Sequence, residues 1–82
     1  MKKLSQQKLT NIVINNRKNS NMTQQELADK TGINRAIISR LELMDFMPSI
    51  PQLEQLSNVL KFDITDLFVE TDKPNQLGSV SP

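Results

Sequence analysis

The sequence has 82 residues, 37% of them apolar, with ten Lys and Arg against nine Asp and Glu for a net charge of +1, and it contains neither cysteine nor histidine. That length suits one small domain that buries only roughly 60–65% of its unfolded surface, so a partner subunit would help its stability. Without Cys and His there is no disulfide framework, no thiolate or imidazole metal site and no imidazole acid–base catalyst; no metal, cofactor or enzymatic activity is expected, and the lack of a long apolar run or secretory leader points to a soluble cytoplasmic protein with no membrane partner.

The first predicted helix covers residues 5–18, with Ser5 as its cap and Leu9, Ile12, Val13 and Arg17 at helical spacing. Asn19-Ser20-Asn21 is turn-forming and ends it. Thr23 followed by Glu26 is a capping box for the second helix, and Met22 is placed to staple against Leu27. Leu27 and Ala28 face inward, and Gly32 stands where a left-handed residue closes a helix at little cost. Asn34 caps a third helix over about residues 35–43; Ile33, Ile38 and Leu41 point inward, and Arg35, Ala36, Ser39 and Arg40 lie on the other faces.

Ser49 and Gln52 form a second capping box, with Pro51 in the first turn, where its missing donor is harmless. Leu53, Leu56, Ser57 and Leu60 mark the inward stripe of that fourth helix. Asp63 and Asp66 flank the start of a short fifth helix ending near Phe68, with Ile64 and Leu67 inward. No strand-like alternation is visible. The pattern predicts an all-α domain over residues 1–70 and a flexible polar tail over 71–82.

Residues 23–42 therefore read as two capped helices joined by a glycine turn, the helix-turn-helix arrangement whose second helix can enter the major groove of DNA. Charge is polarised along the chain: Lys2, Lys3, Lys8, Arg17 and Lys18 stand in residues 1–18 with no acid among them, whereas residues 48–82 hold two lysines against five acids. A polyanion would meet the basic head.

Arg17, Thr23-Gln24, Leu27-Ala28, Gly32, Ile38-Ser39, Glu42, Pro48-Ser49, Leu53, Leu56, Leu60, Leu67 and Phe68 form a specific set spanning about residues 9–69. In these residues the sequence resembles the Cro/CI-type (XRE family) helix-turn-helix regulators of bacteria and their phages. The resemblance implies a compact five-helix lambda-repressor-like domain that binds double-stranded DNA as a homodimer on a palindromic operator, and most simply a repressor. It implies that Thr23 and Gln24 place the second helix's N-terminus against a phosphate, where backbone amides add positive charge. It implies further that Asn34, Arg35, Ala36, Ile37, Ser39 and Arg40 face the groove. Arg35 is the first choice for a bidentate contact to guanine O6 and N7, Ala36 and Ile37 suit thymine methyls, and Arg40 suits a base or a phosphate. Lys8 and Lys18 are candidate phosphate contacts. Gly32 is structural, and Arg17 and Glu42 are expected to pair beneath the reading helix; the alternative for Arg17 is a phosphate.

The segment Leu43-Met44-Asp45-Phe46-Met47 departs from the family pattern, having neither glycine nor a base. A left-handed Met44 would cost roughly 1–2 kcal/mol, so the third helix is expected to close another way, with Asp45 taking part. Leu43, Met44, Phe46 and Met47 make the loop unusually apolar: either Phe46 and Met47 fold back as core, or the loop, with Met44, Phe46 and Met47, forms an interface, the dimer seam or a partner's docking site. Asn16 stands where an aliphatic is usual and is expected to weaken a core contact. The rival reading is an antitoxin or adaptor whose helical surface and apolar loop 43–47 bind a partner protein.

Overall fold

A computed structural model describes residues 1–70; the tail assigned to 71–82 lies outside the described residues. The elements are β1 (Lys2–Leu4), α1 (Gln6–Asn19), α2 (Gln24–Thr31), α3 (Arg35–Glu42), α4 (Ile50–Leu60), a 3-10 turn (Ile64–Leu67) and β2 (Phe68–Glu70). Each helix begins on a side chain that accepts from an otherwise orphaned backbone amide: Ser5 from Lys8, Thr23 from Glu26, Asn34 from Ala36 and Ser49 from Gln52. Thr23–Glu26 and Ser49–Gln52 are reciprocal capping boxes.

The helix ends are equally uniform. A left-handed residue follows every helix: Asn21, Gly32, Met44 and Lys61, with φ between 56° and 75°. Behind α3 the Met44 amide donates to the Leu41 carbonyl (3.1 Å) and the Asp45 amide to that of Arg40 (2.8 Å), the paired bonds of a Schellman closure. Met44 is thus left-handed after all, and the expectation that α3 avoids this is corrected. Part of the reason lies outside the loop: Gln6 Nε2 donates to the carbonyls of Met44 (3.1 Å) and Phe46 (3.4 Å), pinning the strained turn to α1.

Leu9 and Val13 of α1, Leu27 and Ala28 of α2, Ile33, Ile38 and Leu41 around α3, Leu53, Leu56 and Leu60 of α4, and Leu67 form one buried core. Polar hooks from α1 orient it against the other helices. Thr10 Oγ1, itself buried, donates to the Leu41 carbonyl (3.0 Å), and Asn16 Nδ2 donates to the Leu60 carbonyl (3.0 Å). These carbonyls lie in the last turns of α3 and α4, where intrahelical donors run out, and that of Leu41 also takes the Met44 amide of the closing turn. Asn16 therefore ties α1 to the end of α4, which replaces the expectation of a weakened contact.

Among the described residues the fold is mostly helical, with four α-helices rather than five. The fifth predicted helix is a single 3-10 turn, capped by Asp63, whose carboxylate accepts from the Thr65 amide (2.9 Å) and hydroxyl (2.7 Å). These bonds hold the Asp63 carboxyl below the usual carboxylate range, the hydroxyl contributing most. The chain then extends into β2, which pairs antiparallel with β1 in the register Lys2↔Glu70, Lys3↔Val69 and Leu4↔Phe68. This two-stranded sheet was not expected. Its three-residue strands are too short to show alternation, and its pairing joins segments more than sixty residues apart. Among the described residues no helix is long and apolar enough to cross a membrane.

Candidate nucleic-acid interface

The core fixes one face of α3 and leaves the other outward. Ile38 and Leu41 are buried, while Asn34, Arg35, Ala36 and Arg40 are exposed and Ser39 is half-buried. Asn34 Oδ1 accepts from the Ala36 amide (2.8 Å), which uses the carbonyl end of that side chain and leaves its NH2 group on the surface. Ile37 is half-buried and packs against the core, so fewer of its methyl contacts remain for a ligand than the sequence suggested. Arg40 is drawn back along the following loop. Its Nη2 donates to the Asp45 carbonyl (3.2 Å), its Nε lies 3.4 Å from the Asp45 carboxylate, and its guanidinium sits 5.9 Å from the centre of the Phe46 ring. The ion pair is exposed, so releasing Arg40 toward a phosphate costs less than about 1 kcal/mol.

Gly32 makes the turn between α2 and α3. Its φ is 75°, its amide donates to the Ala28 carbonyl (2.9 Å), and an added Cβ would meet nothing within 4 Å. The requirement for glycine is therefore the left-handed backbone itself and not crowding. An open groove runs along the turn, lined by Gln25, Asp29, Gly32, Asn34 and Arg35. Gln25 and Asp29 were not singled out from the sequence; they stand one helical turn apart on α2, and Gln25 Nε2 donates to Asp29 Oδ1 (2.9 Å).

Beneath this surface lies a charged network. Arg17 Nε and Nη2 donate to the two oxygens of Glu42 (2.7 and 3.0 Å), Arg17 Nη1 donates to the Met22 carbonyl (2.8 Å), and Gln24 Nε2 donates to Glu42 Oε1 (3.0 Å). The Arg17 and Glu42 side chains are only 12% and 8% exposed. The network joins the end of α1, the start of α2 and the end of α3, so it fixes how α3 lies relative to the N-terminus of α2. Thr23, exposed, and Gln24, half-buried, stand at that N-terminus.

Lys18 is exposed in the last turn of α1, one residue from Arg17 and so beside the α2 N-terminus. Lys8 is exposed about 15 Å away, at the helix's other end. The two lysines do not converge on one phosphate. Of the loop residues, Phe46 packs against the core, whereas Leu43, Met44 and Met47 are exposed, joined by Ile50, which the sequence pattern did not mark.

Two capped helices hinged on a left-handed glycine, the second of them presenting an outward polar and basic face, define a DNA-binding domain. A family model described as helix-turn-helix matches residues 14–67, and the chain belongs to that family, in its Cro/CI-type (XRE) branch of regulatory DNA-binding domains. No curated protein and no solved structure matches the chain.

Proposed function

We propose that the protein is a sequence-specific transcriptional regulator that binds a palindromic operator as a homodimer and represses by occlusion. The observation that carries this reading is the outward face of α3, with Asn34, Arg35 and Ala36 exposed at its N-terminal end, set on the buried Arg17–Glu42–Gln24 network. In this reading the first turn of α3 reads base edges, with Arg35 bidentate to guanine. Thr23, Gln24 and Lys18 take a phosphate at the α2 N-terminus. Gln24 reaches the phosphate by exchanging or sharing its bond to Glu42. Ser39 and Arg40 border the groove one turn later, and Lys8 contacts a phosphate further along the duplex. The function is binding alone, with no catalysis.

Selection of bound duplexes from a random pool tests the proposal, with a two-fold symmetric consensus as the expected result. Binding should weaken with salt by a slope near −0.9 per neutralised phosphate. Arg35→Ala should relax preference at one position per half-site by about 1–3 kcal/mol. Equal recovery of all sequences, or salt-insensitive association, would refute it. The exposed side chains of Leu43, Met44 and Met47 favour one second reading, an antitoxin or adaptor that also holds a protein; complex formation unaffected by Arg35→Ala would support that instead.

A further inference from the structure

The described residues expose six large apolar side chains, and four of them fall within eight consecutive residues: Leu43 (75% exposed), Met44 (46%), Met47 (43%) and Ile50 (65%). The intervening Phe46 and Pro48 turn inward, lining a small apolar cleft against Ile37, Leu41 and Leu56. The segment thus alternates between anchoring itself and presenting side chains outward. We infer that this patch, from the end of α3 to the first residue of α4, is the surface on which a second copy of the chain docks across a two-fold axis. The inference rests on the homodimer reading above and specifies the seam.

Three observations favour a second copy as the occupant. The first is area. The four side chains expose roughly 400 Å² of apolar surface, a size typical of functional patches. Two copies face to face would bury about 800 Å² of it. With interfaces roughly 60% apolar, that corresponds to about 1,300 Å² in total, within the range of specific dimers.

The second is charge. Residues 43–50 contain one ionisable side chain, Asp45, and its carboxylate faces Arg40 of the same chain. Two identical patches can therefore approach without repulsion. The basic segment 1–18, self-apposed, would repel.

The third is position. The patch begins where α3 ends. An eight-residue helix has a half-length of about 6 Å, and the loop and its side chains extend on the order of 10 Å beyond. A two-fold axis through the patch then leaves the centres of the two α3 helices on the order of 30 Å apart, close to the roughly 34 Å between successive major grooves. A two-fold axis also uses the same patch on both copies, as self-association requires.

The test uses the full chain and two independent measurements. In sedimentation equilibrium from micromolar to millimolar protein, the wild type should dimerise, and Leu43→Ser/Ile50→Ser should weaken dimerisation by about 100-fold, because each substitution acts twice across the axis. Both positions are exposed, so the far-UV circular dichroism should be unchanged. Because the chain has no cysteine, single substitutions Leu43→Cys, Met47→Cys and Ile50→Cys allow oxidative cross-linking against a Lys30→Cys control. Efficient linkage at one or more patch positions, above the control, supports the seam. Linkage at none of them, or an unchanged dimer in the double variant, overturns it while leaving the regulator reading intact. A wild type that stays monomeric both alone and on selected duplex also overturns it. A dimer that the double variant dissociates, in a protein that binds no duplex, upholds the seam and refutes the operator reading.

Discussion

Removing either charge beneath α3 should destabilise the domain severely, while removing both should cost less. Glu42 accepts three N–H bonds, two from Arg17 and one from Gln24, in a site where its side chain is 8% exposed. Replacing Arg17 with Met leaves that carboxylate with one neutral donor. Replacing Glu42 with Met leaves a guanidinium with only the Met22 carbonyl. Each single change should cost about 3–5 kcal/mol, the usual penalty for an unpaired buried charge. A domain of this size has a total stability of roughly 4–10 kcal/mol, so each single change removes a third of it or more. In Arg17→Met/Glu42→Met no charge remains to be solvated. The Met22 carbonyl loses its donor, at about 1–3 kcal/mol, and that should be the main cost. Urea unfolding followed at 222 nm gives all four stabilities and hence the coupling. Single variants costing under about 1 kcal/mol, or a double variant costing the sum of the two, would show that the pair is effectively solvated.

Lys61 is exposed and left-handed at the end of α4, so Lys61→Gly should raise stability by about 0.5–1 kcal/mol, the relief of φ outweighing the gain in unfolded-chain freedom; the melting temperature reports it. Thr10→Val removes the hydroxyl donor from the Leu41 carbonyl, which keeps the Met44 amide, and should cost about 0.5–1.5 kcal/mol in the same urea assay, against little change for the exposed Lys8→Ala. The Asp63 carboxyl is held below its ordinary value, so its contribution is fully present above about pH 4 and is lost as pH falls through the lowered folded value. Asp63→Asn keeps a cap that does not titrate, and its stability profile should be flatter than the wild type's between about pH 4 and pH 2; parallel profiles would remove Asp63 from the acid response.

Features encoded within four or five residues were legible in the sequence. Ser49 and Gln52 announce the start of α4 because both halves of the capping box lie in one turn, and Gly32 announces the end of α2 because only its own φ is at issue. Features made by distant partners were not. Asn16 looked like a polar flaw in an apolar stripe because its acceptor, the Leu60 carbonyl, lies 44 residues away. Met44 looked unsuited to a left-handed turn because nothing local reveals that Gln6 holds its carbonyl. At the candidate interface, the sequence ranked Arg35 first and gave Arg40 a base or a phosphate, without showing how either side chain lies. Only the fold separates an exposed arginine at the start of α3 from one laid back on Asp45 and Phe46. Ile50 passed unmarked for a similar reason: helical spacing says which residues can pack inward, and burial alone says which do not.

The pairing of β1 with β2 sets an order of assembly. Helices α2 and α3 adjoin in the chain and meet across a single turn, so their contacts close small loops and form readily. The strands can meet only after everything between them has been placed, and three residues a side give them little to hold with. They should be the last part of the domain to form and the first to open. In amide exchange, Lys3 and Val69 should therefore lose protection well before Leu27 or Leu41, and α3 should stay formed while the strands open and close.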